Sequence, residues 1–227
     1  MSKALGLVVG LDAEFLEIVG RSLQLSLTAL VLSCIVALPL GAALALARFP
    51  GRGAIVVVLN ASMGLPPVVI GVVVYLFLSR TGPLGPLGWL FSMTAMVIVQ
   101  WILITPIVAS LTRQTIEDLW EEYSELLLSL GASKRRSIPT LLFDGRHRLL
   151  TGVLAGFGRA IGEVGGIIIV GGNIAHATRV MTTAIAMETS KGDLELALAL
   201  GIVLLLLAIV VNAAASWLAH RTSEVSG

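Results

Sequence analysis

The sequence predicts an all-α integral membrane protein with about five transmembrane helices and one substantial polar loop. Three observations carry that expectation. Of the 227 residues, 56% are hydrophobic and only 13% charged, and the mean hydropathy is +0.97, which leaves too little polar surface for a water-soluble domain. The apolar residues fall in runs long enough for the ~20 residues that one helical crossing needs. The one long polar stretch, 113–148, lies between such runs. Five crossings consume most of the chain, so residues 1–227 read as a single transmembrane domain.

Residues 1–21 join Lys3 to a short apolar run, 4–11. They resemble a signal peptide only until Asp12, Glu14 and Glu17 stand where a small-residue cleavage site belongs. We read them as a retained interfacial lead-in, and the three acids argue against a hidden sixth span. The first span, 22–47, carries no charge, encloses the lone Cys34 as a small core residue, and has Pro39 and Gly41 as a predicted kink. Arg48, Pro50, Gly51 and Arg52 then form a tight basic turn. The second span, 54–79, contains Leu65, Pro66 and Pro67 in the run LPPVVIG. Two adjacent prolines remove two backbone donors in mid-membrane, which is tolerable only where the freed carbonyls face protein or water. The segment therefore lines a pore or is a kinked packing helix.

A Gly/Pro-rich loop, 80–88, precedes Trp89 at an interfacial position, and the third span, 89–112, holds Gln100 and Pro106. The fourth span, 149–170, contains Gly152, Gly156, Gly158, Gly162 and Gly166, whose small-xxx-small spacings let helix backbones approach closely. Residues 171–193 read as mixed and mobile, with a short re-entrant or surface helix about 181–187. The fifth span, 194–219, ends at His220 and Arg221.

Lys/Arg bias sets orientation. Arg48, Arg52, Arg113, Lys134, Arg135, Arg136, Arg146, Arg148 and Arg221 fall on one side; Lys3, Arg21, Arg80, Arg179 and Lys191 fall on the other. The first side is expected to be cytoplasmic, which places the N-terminus outside and the C-terminus and the 113–148 loop inside. Within that loop, helical spacing is expected to put Leu119, Leu126 and Leu130 near one face, with Glu117, Asp118, Glu121, Glu122 and Glu125 around the other. Gly131 breaks the helix before Lys134, Arg135 and Arg136. Helix, glycine turn and second short helix make either a docking knob or a solvated amphipathic surface.

Arg159 and Glu163 lie one helical turn apart inside an apolar span, so their side chains can pair. The pair either fixes helix packing or acts as a gate that meets a passing anion. Rival classes are weaker. No basic run is interleaved with aromatics, which excludes a nucleic-acid surface. The three histidines lie at or beyond span ends, with no metal-ligand spacing for an intramembrane hydrolase and no expected metal site. A gradient-driven transporter shows more spans and more midplane acids. A membrane scaffold would need no gated pathway.

The stretch EEYSELLLSLGASKRRSIPTLLFD, 121–144, resembles the EAA loop of ABC importer permeases, the segment that inserts a coupling helix into the nucleotide-binding subunit. Glu125 matches its Glu, Gly131 its Gly, and Ala132 and Ser133 the usual followers, with Lys134 and Arg135 next. Leu126 and Leu127 stand where that motif has paired alanines, and Phe143 and Asp144 where it ends in Leu-Pro. LPPVVIG and GRAIGEVG, 158–165, resemble the corresponding segments of molybdate and tungstate permeases, and 171–193 is most similar to the tungstate branch. The resemblance implies a type I ABC importer permease in a prokaryotic inner membrane. It further implies a homodimer with the pathway between two copies, two ATP-binding cassette subunits holding ATP and Mg, no cofactor on this chain, and an extracytoplasmic oxyanion-binding protein. The substrate implied is tungstate, with molybdate or sulfate as alternatives, and the gate is expected at 65–71 and 182–187, including Thr182 and Thr183. His176, Arg179 and Lys191 would receive the anion or touch the binding protein.

Overall fold

The computed structural model describes residues 13–225, and these fold into helices joined by turns. Lys3, the run 4–11, Asp12 and the question of a span among the first residues lie outside that range, as do the side chains of His220 and Arg221.

Helix α1, Ala13–Leu46, begins in the lead-in and runs unbroken through Pro39. Gly41 serves close packing: a Cβ there would sit 2.5 Å from the Ala109 carbonyl oxygen and 2.7 Å from Thr112 Cβ. Helices α2, Arg52–Ser62, and α3, Pro67–Leu78, meet at 103°, so the expected second span is two helices around a corner. The prolines explain the corner. A residue preceding proline disfavours the α conformation, so α2 ends before Leu65. Pro66 is the N-cap of α3 and Pro67 lies in its first turn, where a missing N–H costs no helical hydrogen bond.

A 3₁₀ turn, Gly85–Leu87, precedes α4, Met93–Ser129, whose N-cap Ser92 side chain accepts from the Ala95 amide. At 1.5 Å per residue α4 is about 55 Å long. It passes the expected span end at 112 without a break, so the polar segment starts as a rigid extension of a spanning helix. Helix α5, Lys134–Asp144, folds back beside it. Helices α6, Arg146–Ile161, and α7, Gly165–Gly171, meet at 57° and replace the expected continuous fourth span. Then come α8, Met181–Lys191, and α9, Leu194–Val225. Among the described residues three helices are long and apolar enough to cross a membrane, or up to five spans when each bent pair counts as one.

The main core lies where α1 and α4 pack along each other, with Leu25, Ala29, Met96, Val99, Ile104 and Val108 buried, and α6 closes over it. Gly152 and Gly156 face α4: a Cβ at Gly156 would sit 2.9 Å from Val108 Cγ2, whereas one at Gly158 would meet nothing within 4 Å. The expected glycine seam thus holds for the first pair and not for Gly158 and Gly162, because Gly162 lies at the helix break. A second cluster, including Phe15, Ile18, Met181 and Leu200, joins the start of α1 to α8 and α9. A third, including Leu46, Ile116, Leu119 and Leu141, joins the end of α1 to the polar segment. Outward faces are apolar, with Val31, Ile35, Leu205 and Ile209 exposed, as a lipid-embedded surface requires.

Within 171–193 the short helix expected about 181–187 is present as α8, and the stretch before it is partly packed. Asn173, Thr178, Thr182 and Thr183 are buried; Thr178 Oγ1 donates to the Gly171 carbonyl, Thr183 Oγ1 to Asn173 Oδ1, and the Met181 amide to Ser22 Oγ. Polar side chains that look like loop composition are here the internal partners of a packed connection.

Gly41→Ala is expected to destabilise by about 1–3 kcal/mol, the cost of overpacking against backbone. Gly20→Ala in the same helix, where a Cβ meets nothing within 4 Å, is expected to stabilise by roughly 0.5–1 kcal/mol from helix propensity. Thermal unfolding in detergent distinguishes the two.

Candidate functional site

The two broken helix pairs meet each other. A Cβ on Gly71 of α3 would sit 2.7 Å from the Gly166 carbonyl oxygen, and one on Gly166 of α7 would sit 2.8 Å from the Pro67 carbonyl oxygen. The LPPVVIG segment and the start of α7, directly after GRAIGEVG, therefore cross backbone against backbone, at a separation only glycine permits.

Breaking a helix inside an apolar bundle frees backbone groups that must find partners. Between α6 and α7 these come from a few side chains. Gln100 Nε2 on α4 donates 3.0 Å to the Ala160 carbonyl. Glu163, in the break and 4% exposed, accepts through Oε1 from the Gly166 amide at 3.0 Å and through Oε2 from Arg159 Nη1 at 2.6 Å. Its own carbonyl accepts from Thr182 Oγ1 of α8 at 2.7 Å. One residue thus ties α6, α7 and α8 together. Arg159 is about one third exposed, so the pair joins a buried carboxylate to a cation that reaches the surface. Beside Glu163, a cavity of about 10 Å³ is lined by Ser22, Ser26, Gln100, Thr182 and apolar neighbours. It has room for about one water.

Of the sequence-predicted pathway residues, Arg159, Glu163 and Thr182 come together. Leu65, Pro66 and Pro67 form the corner whose continuation packs on α7. Thr183 turns away, to Asn173. His176 contacts Glu17 at 2.8 Å, Arg179 pairs with Glu14 at 3.0 Å and Lys191 with Glu188 at 2.9 Å. Each of these three has a carboxylate partner, and the lead-in acids supply two of them. Gln100 was visible as an isolated amide in an apolar run, but its role needed the helix break to be known. Gly71 ends the LPPVVIG run in which the gate is expected, but its pairing with Gly166, far away in sequence, needs the fold.

The second candidate region is the far end of α4. The helix stops at Ser129 in a Schellman arrangement: the Gly131 amide donates 3.0 Å to the Leu128 carbonyl and the Ala132 amide 2.9 Å to the Leu127 carbonyl. Gly131 adopts φ +76°, a conformation that favours glycine. Ser133 is the N-cap of α5, and Lys134 lies over the Trp120 ring at 5.3 Å. Glu125, Arg135 and Arg136 are exposed. The expected leucine face divides. Leu119 is buried under α5, but Leu126 and Leu130 are exposed, the latter 74%, together with Leu128 and Phe143. Returning α5 covers α4 only as far as about Tyr123 and Leu127, so the tip keeps an uncovered apolar surface beside basic residues.

The family described as binding-protein-dependent transport system inner membrane component matches residues 37–224. This chain belongs to that family. It is the permease of an ABC transporter, a multi-pass transport subunit of the inner membrane, whose class works with ATPase and substrate-binding partners. A protein of Haloferax volcanii described as a probable anion ABC transporter permease is 36% identical, over 93% of each chain. The tungstate uptake system permease TupB of Peptoclostridium acidaminophilum is 38% identical, over 92% of each chain. The sulfate transport system permease CysW of Synechocystis is 31% identical, over 92% of this permease and 82% of its own length.

Glu163→Ala removes the acceptor for the Gly166 amide and is expected to cost about 1–3 kcal/mol, the penalty of a buried unsatisfied donor. Glu163→Gln keeps an acceptor oxygen and is expected to cost less. Denaturation midpoints of the two variants, purified in the same detergent, check the order.

Proposed function

We propose that this permease imports an oxyanion, tungstate foremost, through a pathway formed between two copies of the chain. The observation that carries the substrate class is similarity along nearly the whole chain to a tungstate uptake permease. Sulfate is the second reading, favoured by the 31% identity to a sulfate permease. A divalent tetrahedral anion is too costly to place in lipid and too large for a cavity of about 10 Å³, which supports a pathway outside the single copy. Arg159, whose guanidinium reaches the surface while Glu163 holds it, is suited to meet the anion there. Leu65, Pro66, Pro67 and Thr182 border the same junction and form the gate.

The 121–144 loop docks on a separate ATPase subunit, two of which bind ATP and Mg beneath the homodimer. Glu125, Gly131, Ala132, Ser133, Lys134 and Arg135 lie at or beside the docking tip. The exposed Leu126, Leu128, Leu130 and Phe143 supply apolar surface of the kind that interfaces bury. By the bias of Lys and Arg, this end faces the cytoplasm with the C-terminus, and the N-terminus lies outside. An extracytoplasmic binding protein delivers the anion to the opposite end. Closure of the ATPase subunits moves the knobs and tilts the helices between outward and inward states.

The test is ATPase activity of the permease reconstituted with its ATPase subunit, on adding binding protein loaded with tungstate, molybdate or sulfate, or left empty. Stimulation by the tungstate-loaded form is expected; stimulation by sulfate alone would select the second reading, and indifference to every form would refute both. Leu128→Asp with Leu130→Asp is expected to lower affinity for the ATPase subunit by at least ~10-fold, the loss of a buried apolar anchor, measured by co-purification at graded concentrations.

A further inference from the structure

Helix α2 contributes no fully buried side chain, and Ile55, Val57 and Val58 on it are exposed. Leu59 packs half-buried against the main core, and the directional contacts of the helix are polar. At its first residue, Arg52 Nε donates 2.7 Å to the Leu44 carbonyl at the end of α1, and Arg52 Nη2 donates to one carboxylate oxygen of Glu117 on α4. The other Glu117 oxygen accepts from Arg113, one turn back on α4 itself. Near the opposite end of α2, Ser110 Oγ on α4 donates 2.7 Å to Asn60 Oδ1. Helix α2 therefore lies antiparallel to α4, with one attachment near each end. Apolar contact is non-directional and lets surfaces slide, whereas charge-assisted hydrogen bonds fix both distance and register.

The two ends of this attachment lead to the two candidate regions. Glu117 lies on the same uninterrupted helix as Leu128, about 16 Å along it. Directly after α2 comes the Leu65–Pro67 corner, and after that α3, whose backbone crosses α7 at Gly71 and Gly166. We propose that Arg52 and Glu117 are positioning residues of the transport cycle: their bridge makes α2 a strut that carries displacement of the 113–148 knob to the Leu65–Pro67 corner and the Glu163 junction. The strut rests on the coupling role given to the knob above.

The test measures tungstate taken up per ATP hydrolysed, in liposomes holding the permease, its ATPase subunit and tungstate-loaded binding protein. Arg52→Gln and Glu117→Gln are each expected to lower that ratio about ten-fold or more, the scale of losses from misplacement away from the reacting centre, while ATP hydrolysis stays within about two-fold. The double variant is expected to be no worse than either single one, because both remove the same bridge. Arg113→Gln removes the partner of Glu117 on α4 but leaves the bridge to α2, and is expected to change the ratio by less than about two-fold, as a group outside the coupled pair should. A merely structural role would lower assembly, hydrolysis and uptake in parallel for all three residues; that result, or an unchanged ratio in Arg52→Gln and Glu117→Gln, overturns the strut. An unmodified complex that takes up neither tungstate, molybdate nor sulfate overturns the coupling role itself, and the strut with it.

Discussion

Lipid offers no hydrogen bonds, so every backbone amide and carbonyl in the bundle must be satisfied from within the protein. Helices α1 and α4 meet that requirement by being continuous. The α6–α7 pair does not; at its break Gln100, Glu163 and Thr182 supply side-chain partners from three different places in the chain, beside the Glu163 amide, which donates to the Ala160 carbonyl. Glu163 is the pivotal one. Its carboxylate holds Arg159 and the first turn of α7, and its carbonyl holds α8. A carboxylate buried in an apolar span is costly alone; here a partner cation and a backbone amide compensate it, and the compensation lets the chain change direction inside the bundle.

That change of direction is matched by a second one. The corner between α2 and α3 brings Gly71 and Pro67 against Gly166, so two bent helix pairs share a backbone crossing. Neither bend is stored as proline strain. Pro66 and Pro67 occupy an N-cap and a first turn, where proline is at ease. Short helices joined by corners can move as bodies, while the long α1 and α4 around them hold their shared core of Leu25, Met96, Ile104 and Val108. A permease that alternates between two states needs both kinds of element, and the division between them falls where the helices break.

The polar end is rigid for a different reason. Helix α4 does not stop at the span end expected at 112 but continues to Ser129, and α5 packs back over Leu119 through Leu141. The turn between them is fixed by Gly131 in the left-handed region. The uncovered Leu126 and Leu128 and the charges of Arg113 and Glu117 lie on one continuous helix, α4, and Arg52 of α2 pairs with Glu117. No loop intervenes along α4 between Glu117 and the tip.

The sequence by itself determined what depends on neighbours along the chain. Apolar runs show that the chain crosses a membrane several times, because a crossing needs a minimum length of apolar residues. The spacing of Arg159 and Glu163 set their pairing, because four residues make about one turn, and Gly131 set the turn of the knob, because that backbone conformation favours glycine. What tertiary structure alone decided depends on residues far apart. Periodicity placed Leu119, Leu126 and Leu130 on one face, but only the length of α5 determines that it covers the first and leaves the others bare. The double proline reads as a pore-lining segment or a kink within one span, whereas the fold makes it the start of a second helix. The pairing of Gly71 with Gly166, of Gln100 with the Ala160 carbonyl and of Arg52 with Glu117 is not contained in composition or spacing. Each is a contact between separate helices, and such contacts are fixed by how close two backbones come, a quantity that one-dimensional order does not contain.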